Sequence, residues 1–182
     1  LPEIVAGIIA RRKFVYLCTN ALLLEAHLDD YRPSPYLTFS VHLDGLQERH
    51  DKAVCREGVF DKATAAIRAA LGRGFRVTVN CTLFARENPE GVARFLDYAT
   101  SLGVEGITLS PGYGYDHAPR QDVFLGRRQS KRLFRDLFRL GRRFGELDTA
   151  RLAAAAGVHL RLDNYGAADA FSERARLCRR LG

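Results

Sequence analysis

The sequence predicts an α/β fold, a partial parallel (β/α) barrel that is incomplete at its N-terminus. Helical and extended patterns alternate through residues 1–143 in the order α-β-α-β-α-β-α-β-α, which is typical of a parallel sheet with helices outside it. At least two strands keep one face polar, whereas strands of a doubly wound sheet are usually apolar on both faces. A sheet curled around a polar lumen explains this pattern. A doubly wound sheet is the structural alternative.

The segment 36–60 contains the clearest strand and the turn that follows it. Residues 36–43 alternate strictly between polar and apolar side chains, the period of a strand with one apolar face. Asp44 and Gly45 then give a turn signal. We expect a charged loop after this turn and a helix from about Val59. Since parallel barrels place their chemistry at the carboxyl ends of strands, this strand end is a candidate site.

The other elements follow from periodicity and from helix start and stop signals. Asn88, Pro89 and Glu90 form one such start, with a capping side chain, a proline and an acid in sequence. Residues 1–143 are assigned to the partial barrel, and 144–182 to a divergent tail that forms one irregular βα unit or is poorly ordered. Helices are expected at the start of the chain and over 21–28, 60–71, 88–102 and 130–143, and strands over 14–19, 75–83 and 105–110.

The composition is that of an ordinary globular chain, with 47% hydrophobic and 27% charged residues and a net charge of +7. Such a basic excess indicates a solvated surface or attraction to phosphates, anionic lipids or acidic partners. No apolar run approaches the roughly 20 residues of a membrane span. The chain has no methionine, so we expect it to be a piece of a longer protein whose N-terminal part is missing.

The four cysteines, Cys18, Cys55, Cys81 and Cys178, are scattered and never at C-x-x-C spacing. This excludes a zinc knuckle or a self-contained cluster site and suggests a reducing cytosol. G-x-G-x-x-G, P-loop and G-x-S-x-G motifs are also missing from the 182 residues. The loop PGYGYDHAP at 111–119 either stacks on a ring system or is a plain connection.

Metal-ligating side chains follow the strand over 36–43 without a recognised ligand spacing. Only His42 and Asp44 would share a face of that strand, so solvation of a polar loop is the favoured interpretation over a metal site. The residues alone leave the reaction class open. The cluster consists of His42, Asp44, His50, Asp51 and Cys55.

Residues 40–67 resemble a segment of radical S-adenosylmethionine enzymes, many of which carry S-x-x-L-D-G or S-L-D-G, then H-D, then R-x-G-x-F. TNALL at 19–23 is similar to their T-N-G-x-L. Within this superfamily, FVYLCTNALLLE, YLTFSVHLDG, FRVTVNCTLF and ITLSPGYGY resemble the radical enzymes of hopanoid biosynthesis, over roughly residues 1–143. The matching elements are Ser40, Leu43-Asp44-Gly45, His50-Asp51, Arg56-Glu57-Gly58 and Phe60.

This resemblance implies an enzyme that uses S-adenosylmethionine and a [4Fe-4S] cluster to add a 5′-deoxyadenosyl radical to the alkene of a hopene, forming adenosylhopane. The implied partners are a hopene and a reductant such as flavodoxin or ferredoxin. A cytoplasmic location follows, with contact at the inner-membrane surface as an option, and no nucleic acid is expected. The C-x-x-x-C-x-x-C loop and a G-G-E-like motif are missing from these residues, so the cluster ligands are expected outside the chain, which alone would be inactive.

The resemblance also implies roles for individual residues. Ser40 and Arg56 would hold the methionyl end of the cofactor, the arginine through a charge-assisted pair. Asp44, or Asn80 on the next strand, would bond the ribose hydroxyls, while the role of His42 stays open. The neighbouring strand end contributes Thr19 and Asn20, and the adenine would be flanked by Ser110, Pro111 and Gly112.

Cys18 carries a hypothesis of its own. Addition to an alkene leaves a carbon radical, and a thiol on the lumen side could quench it by donating a hydrogen atom. The alternative is a small buried hydrophobic residue, a common role for cysteine.

Two other functions stay open from the sequence. The first is a radical enzyme of another substrate class, such as one that modifies peptides. The second is a non-catalytic basic α/β module that binds nucleic acid or a membrane surface, for which the basic helix over 130–143 is the main support.

Overall fold

A computed structural model describes residues 1–112, 114, 117, 121–143 and 159–162. The helices are α1 (Pro2–Ala10), α2 (Gln47–Ala53), α3 (Val59–Gly72), α4 (Pro89–Ser101) and α5 (Arg127–Arg143). The strands are β1 (Val15–Thr19), β2 (Leu37–His42), β3 (Arg76–Leu83), β4 (Gly106–Pro111) and β5 (His159–Leu162). Short 3-10 turns cover Glu25–Asp30 and Gln121–Val123.

The five strands form one parallel sheet in the order β1-β2-β3-β4-β5. Each strand therefore pairs with the next strand in the sequence. A doubly wound sheet instead reverses its strand order at a switch point. The progression in one direction confirms the prediction of a partial parallel (β/α) barrel and removes the doubly wound alternative.

The core lies between the apolar side of this sheet and its helices. Helix α1 packs against β1, α3 against β2 and β3, and α4 against β4. In β3, buried and half-buried side chains alternate along the whole strand, as a strand with one covered face requires. The sheet contributes Leu37, Phe39, Val41, Val77, Val79, Ile107 and Leu109 to this core, and α3 contributes Ala63, Ala66, Ile67 and Ala70.

Two local predictions are wrong. The loop expected after Gly45 contains helix α2, because Gln, Glu, Arg and Lys within residues 47–53 are good helix formers. The helix expected over 21–28 is a turn followed by the 3-10 segment Glu25–Asp30. Ala21 has a φ of +61°, and a residue in the left-handed region cannot belong to a right-handed helix.

Helix α5 begins at Arg127, slightly before the predicted start at Ser130. Residues 144–158 and 163–182 lie outside the described part of the chain. The predicted tail does contain a strand, β5, which pairs with β4. The division of the chain at residue 143 stays a prediction. Within the described residues, no helix is both long enough and apolar enough to cross a membrane.

Candidate cofactor-binding site

One side of the sheet carries a group of polar residues that the strand register aligns. Cys18 pairs with Ser40 and Ser40 with Thr78, while His42 pairs with Asn80 and Asn80 with Thr108. Paired residues of a parallel sheet project to the same side. We call the side that carries Cys18, Ser40, His42, Asn80 and Thr108 the polar face. Its predicted members therefore lie together, with the Cys18 thiol exposed.

Asp44 lies buried directly after β2, with 4% of its side chain exposed. Its Oδ1 accepts a hydrogen bond from the Thr82 backbone N–H at 2.8 Å. Its Oδ2 lies 2.9 Å from Nε2 of His42. This hydrogen bond from the His42 ring to Asp44 raises the pKa of His42, against the opposing effect of burial. Both carboxylate oxygens thus have partners within the protein.

His50 on α2 completes this buried group. Its Nδ1 accepts a hydrogen bond from the Asp44 backbone N–H at 3.1 Å, and its side chain is 1% exposed. Burial lowers the pKa of His50, which favours the neutral form of the ring. The expected solvation of this cluster is wrong for Asp44 and His50, because α2 folds back over the strand end.

The donor atoms of His42, Asp44 and His50 lie within 4.8 Å of one another. Two imidazoles and a carboxylate are a common metal donor set. Here, however, Nδ1 of His50 accepts the Asp44 N–H, so its neutral ring must carry the proton on Nε2. Neither nitrogen then offers a lone pair to a metal, and His42 already bonds Asp44. The group is better described as a hydrogen-bonded network.

The H-D and R-x-G-x-F elements form a capped loop between α2 and α3. Asp51 Oδ2 accepts the Gly58 N–H at 2.7 Å, and Oδ1 accepts the Phe60 N–H at 2.8 Å. The bond from Phe60 is the largest cause of a lowered pKa at Asp51. Arg56 is exposed on this loop, with its backbone N–H bonded to the Asp51 carbonyl. Its predicted contact with the methionyl group stays a prediction.

Thr19 and Asn20 form a tight turn at the end of β1. Thr19 Oγ1 accepts the N–H of Ala21 at 3.0 Å, and Asn20 Oδ1 accepts the N–H of Leu22 at 3.2 Å. Ala21 adopts a positive φ. This conformation explains why a glycine suits the corresponding position of the T-N-G pattern. The roles of Thr19 and Asn20 toward a cofactor stay predictions.

Ser110 and Pro111 end β4 at the same edge of the sheet, and Gly112 follows them. The Gly112 N–H bonds the Leu83 carbonyl at 2.7 Å, and a Cβ at Gly112 would lie 2.9 Å from two ring carbons of Phe84. Much of the loop 111–119 lies outside the described residues, so its stacking role stays a prediction.

Arg49 and Glu87 both contact Phe84, and the sequence did not predict these contacts. The Arg49 guanidinium lies 5.5 Å from the centre of the ring and forms an ion pair with Glu87. Glu87 Oε1 also accepts the Phe84 N–H at 3.3 Å. Arg49 is 38 positions from Glu87, so only the folded chain brings it to the Phe84 ring.

Residues 1–99 match the Radical SAM superfamily, which is more than half of the 182 residues. The chain belongs to the radical SAM superfamily. It is 28% identical over 112 residues to GTP 3′,8-cyclase 1 of Mycobacterium tuberculosis strain CDC 1551 / Oshkosh, covering 58% of this chain and 31% of that protein. The same figures hold for the protein of strain H37Rv. The chain thus spans about a third of the length of these curated relatives.

A solved structure of 2,3-dimethylmalate lyase aligns with a TM-score of 0.43 and 12% identity, covering 99% of this chain and 60% of that one. This similarity is too low to bear on fold or function.

Membership of the radical SAM superfamily implies S-adenosylmethionine and a [4Fe-4S] cluster as cofactors. The polar face, with hydroxyl, imidazole and amide groups in register, suits the hydroxyls and amino group of an adenosyl ligand. The three cysteines that the structure describes do not suit the cluster. Cys18 and Cys55 are exposed on separate elements and Cys81 is buried, where burial raises the pKa of its thiol. A cluster needs thiolate ligands grouped together, and no such group exists among the described residues.

Proposed function

We propose that this chain is part of a radical SAM enzyme that adds the adenosyl group of S-adenosylmethionine to the alkene of a hopene, forming adenosylhopane. The observation that carries the proposal is the register pair of Cys18 and Ser40. It places an exposed thiol on the polar face beside the predicted cofactor contact. The likeness of residues 1–143 to radical enzymes of hopanoid biosynthesis supports the choice of substrate.

The polar face would bind the cofactor in the proposed enzyme. Ser40 and the exposed Arg56 are assigned to the methionyl group, and Asn80 to the ribose. Thr19, Asn20 and the segment 110–112 border the same strand ends. When bound and reduced by one electron, S-adenosylmethionine supplies a carbon-centred adenosyl radical.

Cys18 would complete the reaction. Addition to an alkene forms one C–C bond and leaves one carbon radical. The Cys18 S–H breaks as a hydrogen atom passes to that carbon, which forms a C–H bond and leaves a thiyl radical. One electron from a flavodoxin or ferredoxin and one proton then restore the thiol. The exposure of Cys18 leaves its sulfur accessible to such a substrate.

The basic side of α5 suits delivery of an apolar substrate from a membrane surface. Leu133 and Phe134 are buried, and α5 packs against α4, so the cationic side chains point outward. Each basic residue near an anionic bilayer contributes about 1 kcal/mol of attraction. We expect binding to phosphatidylglycerol vesicles, decreasing with salt, and none to phosphatidylcholine vesicles. The exposed cations of α5 include Arg128, Lys131, Arg132, Arg135 and Arg139.

Deletion of the chromosomal gene tests the reaction. We expect adenosylhopane and side-chain-extended hopanoids to disappear from lipid extracts while hopene accumulates, as measured by mass spectrometry. Complementation with wild type and with Cys55→Ala should restore them, since the exposed Cys55 lies outside the polar face. Cys18→Ala should yield little saturated adduct. An unchanged hopanoid profile would overturn the proposal and direct the search to another radical substrate, including a nucleotide or a peptide.

A further inference from the structure

We propose that His42, rather than Asp44, is the residue at the end of β2 that contacts the ribose of an adenosyl ligand, with Asp44 as a positioning residue that fixes the His42 ring. This inference rests on the cofactor part of the proposed function. It assigns a role to a side chain whose purpose the sequence left open.

The carboxylate of Asp44 has no free oxygen for a ligand. Thr82 N–H donates to Oδ1 at 2.8 Å, and the His42 ring occupies Oδ2 at 2.9 Å. With 4% of its side chain exposed, Asp44 could reach a ribose only by giving up one of these bonds. A buried carboxylate with all its partners in place would lose more in such a change than it would gain.

His42 has the properties that Asp44 lacks. A third of its side chain is exposed, and it lies on the polar face opposite Asn80. Because Nε2 is hydrogen-bonded to Asp44, the orientation of the ring is fixed, and Nδ1 is the nitrogen that can contact a ligand. Within the described residues, Nδ1 has no hydrogen-bond partner. The polar face thus presents one oriented nitrogen, next to the amide of Asn80.

A ribose hydroxyl matches this nitrogen in either protonation state. Protonated His42 donates from Nδ1, whereas neutral His42 keeps its proton on Nε2 for Asp44 and accepts at Nδ1. A hydroxyl can both accept and donate, but a carboxylate can only accept. The titratable and charged groups around the ring are Asp44, the neutral His50 whose ring centre is 5.8 Å away, and Arg49 and Asp51 beside His50.

Two substitutions separate the ligand contact from the structural contact. In His42→Asn the side-chain amide can occupy the place of Nδ1, and in His42→Gln it can occupy the place of Nε2. His42→Asn keeps a polar group that can contact the ligand but loses the hydrogen bond to Asp44. His42→Gln keeps the hydrogen bond to Asp44 but has no polar group that faces the ligand. Ser40→Ala, on the same strand, is the matched control.

Calorimetric titration of the whole chain with S-adenosylhomocysteine and with its 2′,3′-dideoxy analogue tests the inference. We expect the wild type to bind the ribose form about three- to tenfold more tightly, the effect of one hydrogen bond. His42→Asn should keep this ratio, and His42→Gln should reduce it toward the smaller ratio that the contact assigned to Asn80 would give by itself. Ser40→Ala should weaken both ligands and leave the ratio unchanged.

Three outcomes would overturn the inference. If His42→Gln keeps the ratio and His42→Asn loses it, the ring serves only Asp44. If the wild type binds both ligands equally, His42 makes no ribose contact, although adenosyl binding stands. If the wild type binds neither, the cofactor assignment fails as well. Imidazole ¹⁵N spectra of the wild type give a second readout, independent of variant folding: S-adenosylhomocysteine should shift Nδ1 of His42, and an unshifted signal contradicts the contact.

Discussion

Asp51 holds the first turn of α3 through Gly58, whose N–H it binds at 2.7 Å. Gly58 is the N-cap of α3 and has a φ of +75°, so the chain turns sharply there and the next N–H groups point back toward the Asp51 carboxylate. The second oxygen of Asp51 accepts the Phe60 N–H. These contacts give the H-D and R-x-G-x-F elements a structural purpose that is separate from ligand binding.

Replacing Asp51 should loosen the start of α3. Asp51→Ala removes both acceptors, and Asp51→Asn keeps only one, so the melting temperature should fall in both variants and further in Asp51→Ala. Thermal denaturation followed by circular dichroism measures this. Asp29→Asn is the control, because its surface ion pair with Arg73 is highly exposed and should contribute little.

The contribution of Asp51 should also depend on pH. Because its pKa is lowered in the folded chain, its stabilisation is present above the ordinary carboxyl pKa of about 4 and is lost as pH falls through the lowered value. The difference in melting temperature between wild type and Asp51→Asn should therefore shrink in acid. A constant difference from pH 3 to 7 would show that the charge of Asp51 is irrelevant.

Ala21 should tolerate glycine better than any larger residue. Its left-handed φ of +61° costs an L-residue about 1 kcal/mol. Glycine avoids this strain, although part of the gain is offset because glycine loses more conformational entropy on folding. We expect no loss in free energy of unfolding, or a gain of up to about 1 kcal/mol. Ala65→Gly, inside α3, should instead lose about 1 kcal/mol. Equal losses in both variants would contradict the assigned turn.

Gly112 should not accept a side chain unless Phe84 is made smaller. A Cβ at this position would lie 2.9 Å from two Phe84 ring carbons and 3.3 Å from the Leu83 oxygen. Overpacking of this kind costs about 1–3 kcal/mol. Gly112→Ala should lower the free energy of unfolding by that order, and adding Phe84→Leu should recover part of it. Strictly additive effects in a urea-denaturation cycle would refute the contact.

His50 and His42 should give opposite pH dependences of stability. The lowered pKa of His50 means that its contribution is present above the unfolded pKa of about 6.5 and is lost as pH falls below it. His50→Phe leaves the Asp44 N–H without an acceptor, so it should cost about 1–3 kcal/mol at pH 8. Urea denaturation from pH 5 to 8 should show a smaller cost in acid.

His42 provides the comparison. Its raised pKa means that its contribution is complete below about pH 6.5 and is lost as pH rises through the raised value. The stability difference between wild type and His42→Gln should therefore shrink toward alkaline pH. If both histidine variants followed the same trend, the pKa values of the two rings would not be shifted in opposite directions.

The sequence by itself determined the α/β class, most of the strands and helices, and the polar side of β2 and β3. These features depend on local periodicity and on signals such as Asn88 at the start of α4, whose side chain caps the helix as expected. The parallel sheet was also predicted correctly, since alternating helices and strands are typical of parallel pairing.

Only the tertiary structure decided which residues after β2 are buried and hydrogen-bonded and which stay exposed. Burial of Asp44 depends on Thr82, 38 positions away, and on the return of α2, and no local pattern encodes either. The Phe84 contact with Gly112 also arises from the meeting of separate strand ends. Periodicity reports which face a residue occupies, but hydrogen-bond partners depend on distances that exist only after folding.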